Sequence, residues 1–410
     1  MKEKINIAVI GLGGRGHGMM RTMLEMGDIN VIGLCDVYED RIERAVNTVT
    51  EFGQPKPFAS TDFIDILKMD NLDSVYIATD WENHTRIAIE AMKHGIKAAM
   101  EVGGAYTLEE CWELVDTYEK TGVWTMMMEN CCYGETELMV HNMARLGMFG
   151  EVMYCSGKYA HDLRDEIGYG KQKRHYRLRN YLSRNCENYP THELGPIAKL
   201  LEINRGNRFT SLISVCTGSK GMHDYVMRQD DLRDELGDKE FAQADIVKTF
   251  IKTERGEMIE LTLDTCLARF YSRGYTIRGS KGLYQEDGDI LYFDTPEDKK
   301  KEWEQKNYWG RGEEYCKKYS HPLWNSLTQE QKDLGHGGMD WFVIRAWVET
   351  IKNDVLPPID VYDAAAWMCI TPLSEKSLKE GFVTVEIPDF TRGKYKNRPD
   401  EVGNGTYDIK

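Results

Sequence analysis

The densest concentration of reactive side chains lies in two short runs, Tyr176-Arg177-Leu178-Arg179-Asn180-Tyr181 and Tyr189-Pro190-Thr191-His192-Glu193-Leu194-Gly195-Pro196. Tyr189 and His192 are three positions apart. With a helix beginning at Thr191, both side chains sit at its first turn and point the same way. A tyrosine and a histidine brought together suit proton transfer. A free phenol titrates near ~10, and a neighbouring arginine such as Arg177 lowers that value towards a usable base. His192-Glu193 opens like a zinc-protease motif, but Pro196 stands where the second histidine belongs, so no metal site is expected.

A second group of residues points to a dinucleotide. Gly11-Leu12-Gly13-Gly14-Arg15-Gly16 follows the apolar run Ile5–Ile10 and opens a helical pattern, and Asp36 ends the next strand. In that context the first glycine permits a tight turn and the second lets backbone N–H groups approach a pyrophosphate. The third allows the helix to pack against the strand. Gly14 belongs to the same turn, and Arg15 is placed to contact phosphate or to be solvated at the helix start. The helix N-terminus favours the phosphate charge. A carboxylate at Asp36 accepts ribose hydroxyls and repels a 2′-phosphate, so NAD is expected rather than NADP. Trp81 and His84 follow a core strand and are placed to line the nicotinamide side. Glu101 follows the next strand, and Asn130 and Tyr133 follow the last. The cluster Gly335-His336-Gly337-Gly338-Met339-Asp340 implies close backbone approach or a tight turn into a helix, with His336 a candidate substrate contact.

The elements that carry these residues alternate. Strands are expected at Ile5–Ile10, Asn30–Cys35, Asp73–Thr79, Lys97–Met100 and Val123–Met128. Helices are expected at His17–Met26, Arg41–Phe52, Phe63–Lys68, Asn83–His94 and Leu108–Lys120. This pattern predicts an α/β fold: a Rossmann domain over residues 1–128 with a doubly wound parallel sheet. Ligands of such sheets bind at the carboxyl ends of the strands, where the loops after Ile10, Cys35, Thr79, Met100 and Met128 lie. Residues 129–410 read as an α+β domain with an open, mainly antiparallel sheet. Its strand-like stretches are Glu151–Ala160, Phe209–Thr217, Ala244–Thr253, Met258–Leu267 and Gly274–Arg278. Lys299–Tyr319 reads as surface helix and loop. Residues 339–354 and 360–380 read as helices, Phe382–Ile387 as a last strand, and the chain from Thr391 as a polar tail.

Composition narrows the function. The chain has 410 residues, 41% of them hydrophobic, enough for a core in each of two domains. Its formal net charge is −15, which disfavours binding to nucleic acid. No run of about 18 apolar residues exists, so no membrane span is expected. The ten cysteines show neither zinc spacing nor a disulfide framework, and the apolar run after Lys4 is too short for a signal sequence. A cytoplasmic location is therefore expected.

The Rossmann half followed by a sheet domain resembles the glucose–fructose oxidoreductase/inositol dehydrogenase (Gfo/Idh/MocA) family. Dehydrogenases of that family carry Glu-Lys-Pro where this chain has Glu101-Val102-Gly103, so the lysine of ordinary alcohol dehydrogenation is missing. The second domain resembles glycoside hydrolase family 109, the NAD-dependent α-N-acetylgalactosaminidases. The segments that carry the likeness are Met128-Glu129-Asn130, Tyr189-Pro190-Thr191-His192-x-Leu194-Gly195-Pro196, Ile203-Asn204-Arg205-Gly206, Gly279-Ser280-Lys281-Gly282, His321-Pro322-Leu323-Trp324 and Gly335–Asp340. The resemblance implies that Glu101, Arg177, Tyr189, His192 and Tyr271, with Tyr133, line a sugar and nicotinamide site. It also implies a glycosidase in which NAD stays bound and is regenerated. The sugar is oxidised at C3, loses its C2 proton and C1 leaving group, adds water and is reduced again. His192 is assigned the C3 hydroxyl and Tyr189 the C2 proton, and the residues alone allow the exchange of these roles. A net sugar or cyclitol dehydrogenase is the alternative reading. Copies of the chain are expected to pair through the second-domain sheet.

Overall fold

The computed structural model describes residues 3–398 and 405–409. The rest of the polar tail lies outside the described residues. The chain divides into two compact units: Met1–Tyr133 with Ser326–Ala365 and Asn397–Lys410, and Gly134–Asn325 with Ala366–Lys396.

In the first unit the apolar runs become six strands: β1 (Ile5–Ile10), β2 (Ile29–Cys35), β3 (Phe58–Ser60), β4 (Ser74–Ile77), β5 (Lys97–Met100) and β6 (Thr125–Met127). They form a parallel sheet in the order β3-β2-β1-β4-β5-β6, the doubly wound arrangement. β4 is buried at every position, as expected for a strand covered on both faces. The helices Gly14–Glu25, Glu39–Glu51, Phe63–Leu67, Trp81–Lys93 and Leu108–Thr121 connect the strands. The last of these begins at a capping box, Thr107 with Glu110, and ends at left-handed Gly122. The three-residue β3 has no apolar periodicity and was not expected.

This unit does not stop near residue 128. The helix Met339–Asn353 buries Phe342, Val343, Ile344 and Trp347 within it. The Trp347 ring lies 6.3 Å from that of Tyr76, and its Nε1 donates to Ser74 Oγ at 3.2 Å. Ile359 O accepts from Met127 N at 3.1 Å, extending the bonding of β6. A single division at 128/129 therefore differs from the packing, because the apolar face of a distant helix completes the first core.

The second unit holds β7 (Val152–Ala160), β8 (Phe209–Cys216), β9 (Ile246–Thr253), β10 (Met258–Asp264), β11 (Thr276–Gly279), β12 (Gly282–Gln285), β13 (Ile290–Phe293) and β14 (Val385–Glu386). The sheet order is β13-β12-β11-β7-β10-β9-β8-β14. β7 and β10 pair in parallel, and every other neighbouring pair is antiparallel. The side chains of β9 and β10 alternate between buried and exposed, so one face is packed and the other open. The helix Thr191–Leu200 packs on β7, and Ile370–Lys379 on β8. The expected helix over 360–380 is two, Val361–Met368 and Ile370–Lys379, and the expected last strand is reduced to two residues.

Candidate active site

The glycine turn has the backbone that its composition requires. Gly11 has φ +95°, and a Cβ there would collide with the Ala78 carbonyl. A Cβ at Gly16 would strike the Gly11 carbonyl, so helix and turn can touch only through glycine. Gly13 is the N-cap of the helix Gly14–Glu25 and no side chain caps it, which leaves the first N–H groups open to an anion. A Cβ at Gly14 would meet nothing within 4 Å, so this side of the turn is clear. Asp36 is buried. Its carboxylate accepts from Leu12 N at 2.7 Å and Tyr38 N at 3.0 Å, which fixes it at the end of β2. These features fit a dinucleotide: an uncapped helix start for the pyrophosphate and a held carboxylate for the ribose.

Arg15 is not a solvated helix residue. Its guanidinium forks onto Asp340, with Nη1–Oδ2 at 2.8 Å and Nη2–Oδ1 at 3.0 Å, and its Nε donates to Glu101 Oε1 at 2.9 Å. Tyr76 Oη donates to the same Glu101 oxygen at 2.6 Å. Asp340 also accepts from Asn130 Nδ2 at 2.8 Å, and His336 Nδ1 lies 2.8 Å from its Oδ2. Burial disfavours charge on Asp340, but His336 and Arg15 outweigh it and hold the carboxyl well below the usual carboxylate range. Burial beside Glu101 pushes the Tyr76 phenol well up. His336 thus stands with Arg15 and Asp340.

Trp81 packs so closely on Gly103 that a Cβ at 103 would strike its ring. His84 is buried, its Nε2 is 2.9 Å from Thr79 O, and burial lowers its pKa, so it is neutral and holds the loop after β4. Tyr133 departs from the expectation of a substrate contact. It is fully buried, its Oη donates to Tyr407 O at 2.9 Å, and its ring stacks on Phe342 at 6.1 Å.

The second unit gathers the acid–base candidates. The helix Thr191–Leu200 starts after Pro190, with Tyr189 just before it, and the Tyr189 and His192 ring centroids are 4.9 Å apart, nearly perpendicular. Pro196 lies inside this helix. It offers no N–H to the His192 carbonyl one turn back, which loosens the turn that carries His192. Arg177, buried at the start of the helix Arg177–Ser183, lies over the Tyr189 ring at 5.0 Å and the Tyr159 ring at 5.7 Å. Its Nε is 2.7 Å from Glu166 Oε1. Arg177 therefore accompanies Tyr189 as expected, through the ring face.

Tyr159 and His161, at the end of β7, were not singled out from sequence. The Tyr159 ring is 4.4 Å from that of Tyr189 and 5.8 Å from that of His192. His161 lies 5.2 Å from the ring of half-exposed Tyr271, which brings Tyr271 to the same cluster. Burial and the charge of Arg177 lower the His161 pKa. The signal for this pair was the expected strand Glu151–Ala160, whose end must carry residues to the sheet edge. Asp340 was likewise visible only as part of a glycine cluster.

The comparisons divide the chain along the sequence, near residue 130, rather than by packing. Residues 5–129 match the family described as "Oxidoreductase family, NAD-binding Rossmann fold", and residues 133–397 match "Glycosyl hydrolase 109, C-terminal domain". The chain is 36% identical to a glycosyl hydrolase family 109 protein of Stenotrophomonas maltophilia, over 97% of this chain and 91% of that one. It is 35% identical to an alpha-N-acetylgalactosaminidase of Tannerella forsythia, over 96% and 88%. Among solved structures, the WlbA dehydrogenase of Bordetella pertussis has the same fold at TM-score 0.67 and 15% identity, covering 95% of this chain and 99% of that one. Myo-inositol 2-dehydrogenase of Lactobacillus plantarum has it at 0.64 and 14%, covering 94% and 100%. With an NAD-binding Rossmann domain ahead of this C-terminal domain, the chain belongs to glycoside hydrolase family 109 and is an enzyme of that family.

Proposed function

We propose that the enzyme cleaves glycosides of N-acetylgalactosamine by transient oxidation at C3, with NAD retained through the turnover. The observation that carries this reading is the convergence of Tyr189 and His192, with Arg177 on the tyrosine ring, in a chain that has Val102 in place of the dehydrogenase lysine. The relative from Tannerella forsythia supports the choice of sugar. When bound, NAD supplies a hydride acceptor that later becomes the donor.

The residues then divide the proton transfers. His192 takes the C3 hydroxyl proton as the C3 hydride leaves. Tyr189 acts as the base that removes the C2 proton the C3 ketone has acidified, and the C1–oxygen bond to the aglycone breaks, the aglycone oxygen taking a proton from solvent. Tyr189, its proton exchanged with solvent, returns one to C2 as water adds its hydroxyl to C1 and gives its other proton back to solvent, and His192 returns one to O3 as the hydride comes back. Arg177 orders the Tyr189 ring, Glu101 orients the sugar or the nicotinamide ribose, and Tyr271 contacts the sugar. Gly13, Gly14 and the helix start hold the pyrophosphate, Asp36 the ribose, and Trp81 and Asn130 the nicotinamide side. Association of copies through the open sheet face, where Ile213 sits beside Phe250, is part of the proposal. Light scattering tests that part.

The test of the reaction is hydrolysis, without added NAD, of a panel of α- and β-nitrophenyl glycosides that includes the N-acetylgalactosaminide. A C2-deuterated substrate should lose its label to water. Full retention of the label would sink the elimination, and steady growth of reduced-nicotinamide absorbance with free sugar and added NAD would favour a dehydrogenase. Tyr189→Phe and His192→Ala should each lower kcat by roughly 10²- to 10⁴-fold.

A further inference from the structure

Two carboxyl groups flank the Tyr189–His192 pair, and the reaction above gives neither a role. Glu187 precedes Tyr189 by two residues and is fully buried, and Glu193 directly follows His192 and is 2% exposed. A buried carboxylate is costly unless a cation or several donors hold it. The groups that set the state of these two are each other and backbone amides. Thr262 N donates to Glu193 Oε2 at 3.3 Å, and the Tyr159 amide also favours charge on Glu193. The amides of Tyr189 and Leu263 favour charge on Glu187 without reaching hydrogen-bond geometry.

Among the described residues, the groups that shift the two carboxyls include no cation. β7 offers Tyr159, and β10 offers Thr262 and Leu263. The helix Thr191–Leu200 offers His192 and Lys199, whose ammonium lies over the Trp367 ring at 5.8 Å. The helix Ile370–Lys379 offers Ser374, which accepts from Glu187 N at 2.9 Å, and Glu375, which pairs with Arg184. Arg177 is held by Glu166.

If both groups were ionised, Glu193 Oε1 and both Glu187 oxygens would find no donor. One proton answers for two of these three oxygens, because an O–H on one carboxyl donates to an oxygen of the other. Gly157 on β7 lets the strand and the helix touch at Glu193: a Cβ there would lie 2.8 Å from Glu193 Cβ.

We propose that Glu187 and Glu193 share one proton, and that this carboxyl–carboxylate bond fixes Tyr189 against the first turn carrying His192. Both are positioning residues, and the inference rests on the reading of Tyr189 and His192 as the acid–base pair. Burial pushes Glu187 up to about 8 and Glu193 upward as well. A folded-state value raised above the unfolded one gives stability that is complete at low pH and is lost as pH rises through the folded value. Above that point two buried carboxylates repel, and the turn between them loosens.

The experiment uses the full-length protein and three variants, Glu193→Gln, Glu187→Gln and Glu193→Ala. Glutamine can donate to the remaining carboxylate and cannot lose its proton. From about pH 4.5, the ordinary carboxyl value, up to about pH 8 the wild-type melting temperature should fall relative to that of either glutamine variant, and the difference should level off above that. Infrared difference spectra at neutral pH should show a protonated carboxyl that both glutamine variants lack. In turnover, the alkaline limb of kcat should move upward in Glu193→Gln. Glu193→Ala should lose about 10- to 100-fold in kcat with KM little changed, and the glutamine should restore it. Equal pH dependence of melting in wild type and both glutamine variants, or no protonated carboxyl, overturns the pairing. An alkaline limb that stays in place in Glu193→Gln, or an alanine variant with wild-type kcat, overturns the positioning role. If no glycoside is hydrolysed, the acid–base reading fails, and the melting and infrared measurements still decide the carboxyl pair.

Discussion

Glu101 and Asp340 in the first unit, and Glu187 and Glu193 in the second, are all at most 5% exposed, yet they are kept in opposite ways. The first two share one guanidinium: Arg15 bonds both and, with His336, holds Asp340 well below the usual carboxylate range although burial works against it. The second two have backbone amides and each other, and their pKa values move upward. Burial is common to both pairs, so the difference lies in the partner. Asp340, forked by the half-buried Arg15 and touched by His336, becomes a fixed charge that can hold a loop at any physiological pH. An acid beside an acid becomes a proton carrier whose state depends on pH.

The sharpest way to break this contrast is Arg15→Met. It strands two buried carboxylates, and breaking such a pair costs about 3–5 kcal/mol. Urea denaturation should show a loss near the lower end, because Tyr76 still donates to Glu101 and Asn130 to Asp340. Fluorescence titration should show weaker NAD binding. Next is Asp340→Asn, which should cost about 2 kcal/mol, the worth of a hydrogen bond to a charged group. Because the Asp340 pKa is depressed, its contribution is present above the ordinary carboxylate range and is lost as pH falls through the folded value. The variant should therefore lose less stability than wild type on acidification, the reverse of the glutamine variants of the second unit, which diverge from wild type as pH rises towards about 8. Melting curves across pH check both slopes.

Gly157→Ala presses a methyl against Glu193 and should cost about 1–3 kcal/mol by overpacking, with greater alkaline sensitivity than wild type. The smallest effect is expected from Lys317→Ala. Its bond to Glu313 is an i,i+4 pair with both side chains largely exposed, and denaturation should show no measurable change.

Much of the nucleotide half was legible because its signals are local. Gly11, Gly13 and Gly16 are dictated by contacts within one strand–turn–helix, and Asp36 by the end of the next strand. Tyr189 and His192 were legible for the same reason, since three positions across a helix start fix their relation. What was not legible depends on long-range pairing. Tyr159 reaches Tyr189 only because β7 and the helix Thr191–Leu200 pack together. Asp340 reaches Arg15 only because a helix more than three hundred residues later joins the first core. Tyr133 misled for a related reason: its motif position is near the strand ends, but Phe342 and Tyr407 enclose it.

That late helix has a consequence for how the protein is made. The first unit lacks Trp347 and its neighbours until the ribosome has translated the whole intervening segment, about two hundred residues long. At roughly 5–20 residues per second this is a wait of about 10 to 40 s with the apolar groove over Ser74 and Tyr76 uncovered. During synthesis the nucleotide-binding unit should therefore stay open to protease and aggregation, and close its core only near the end of translation. A nascent chain arrested before residue 339 should be cut readily by protease within its first 133 residues, and one arrested after the chain through 365 has emerged should resist.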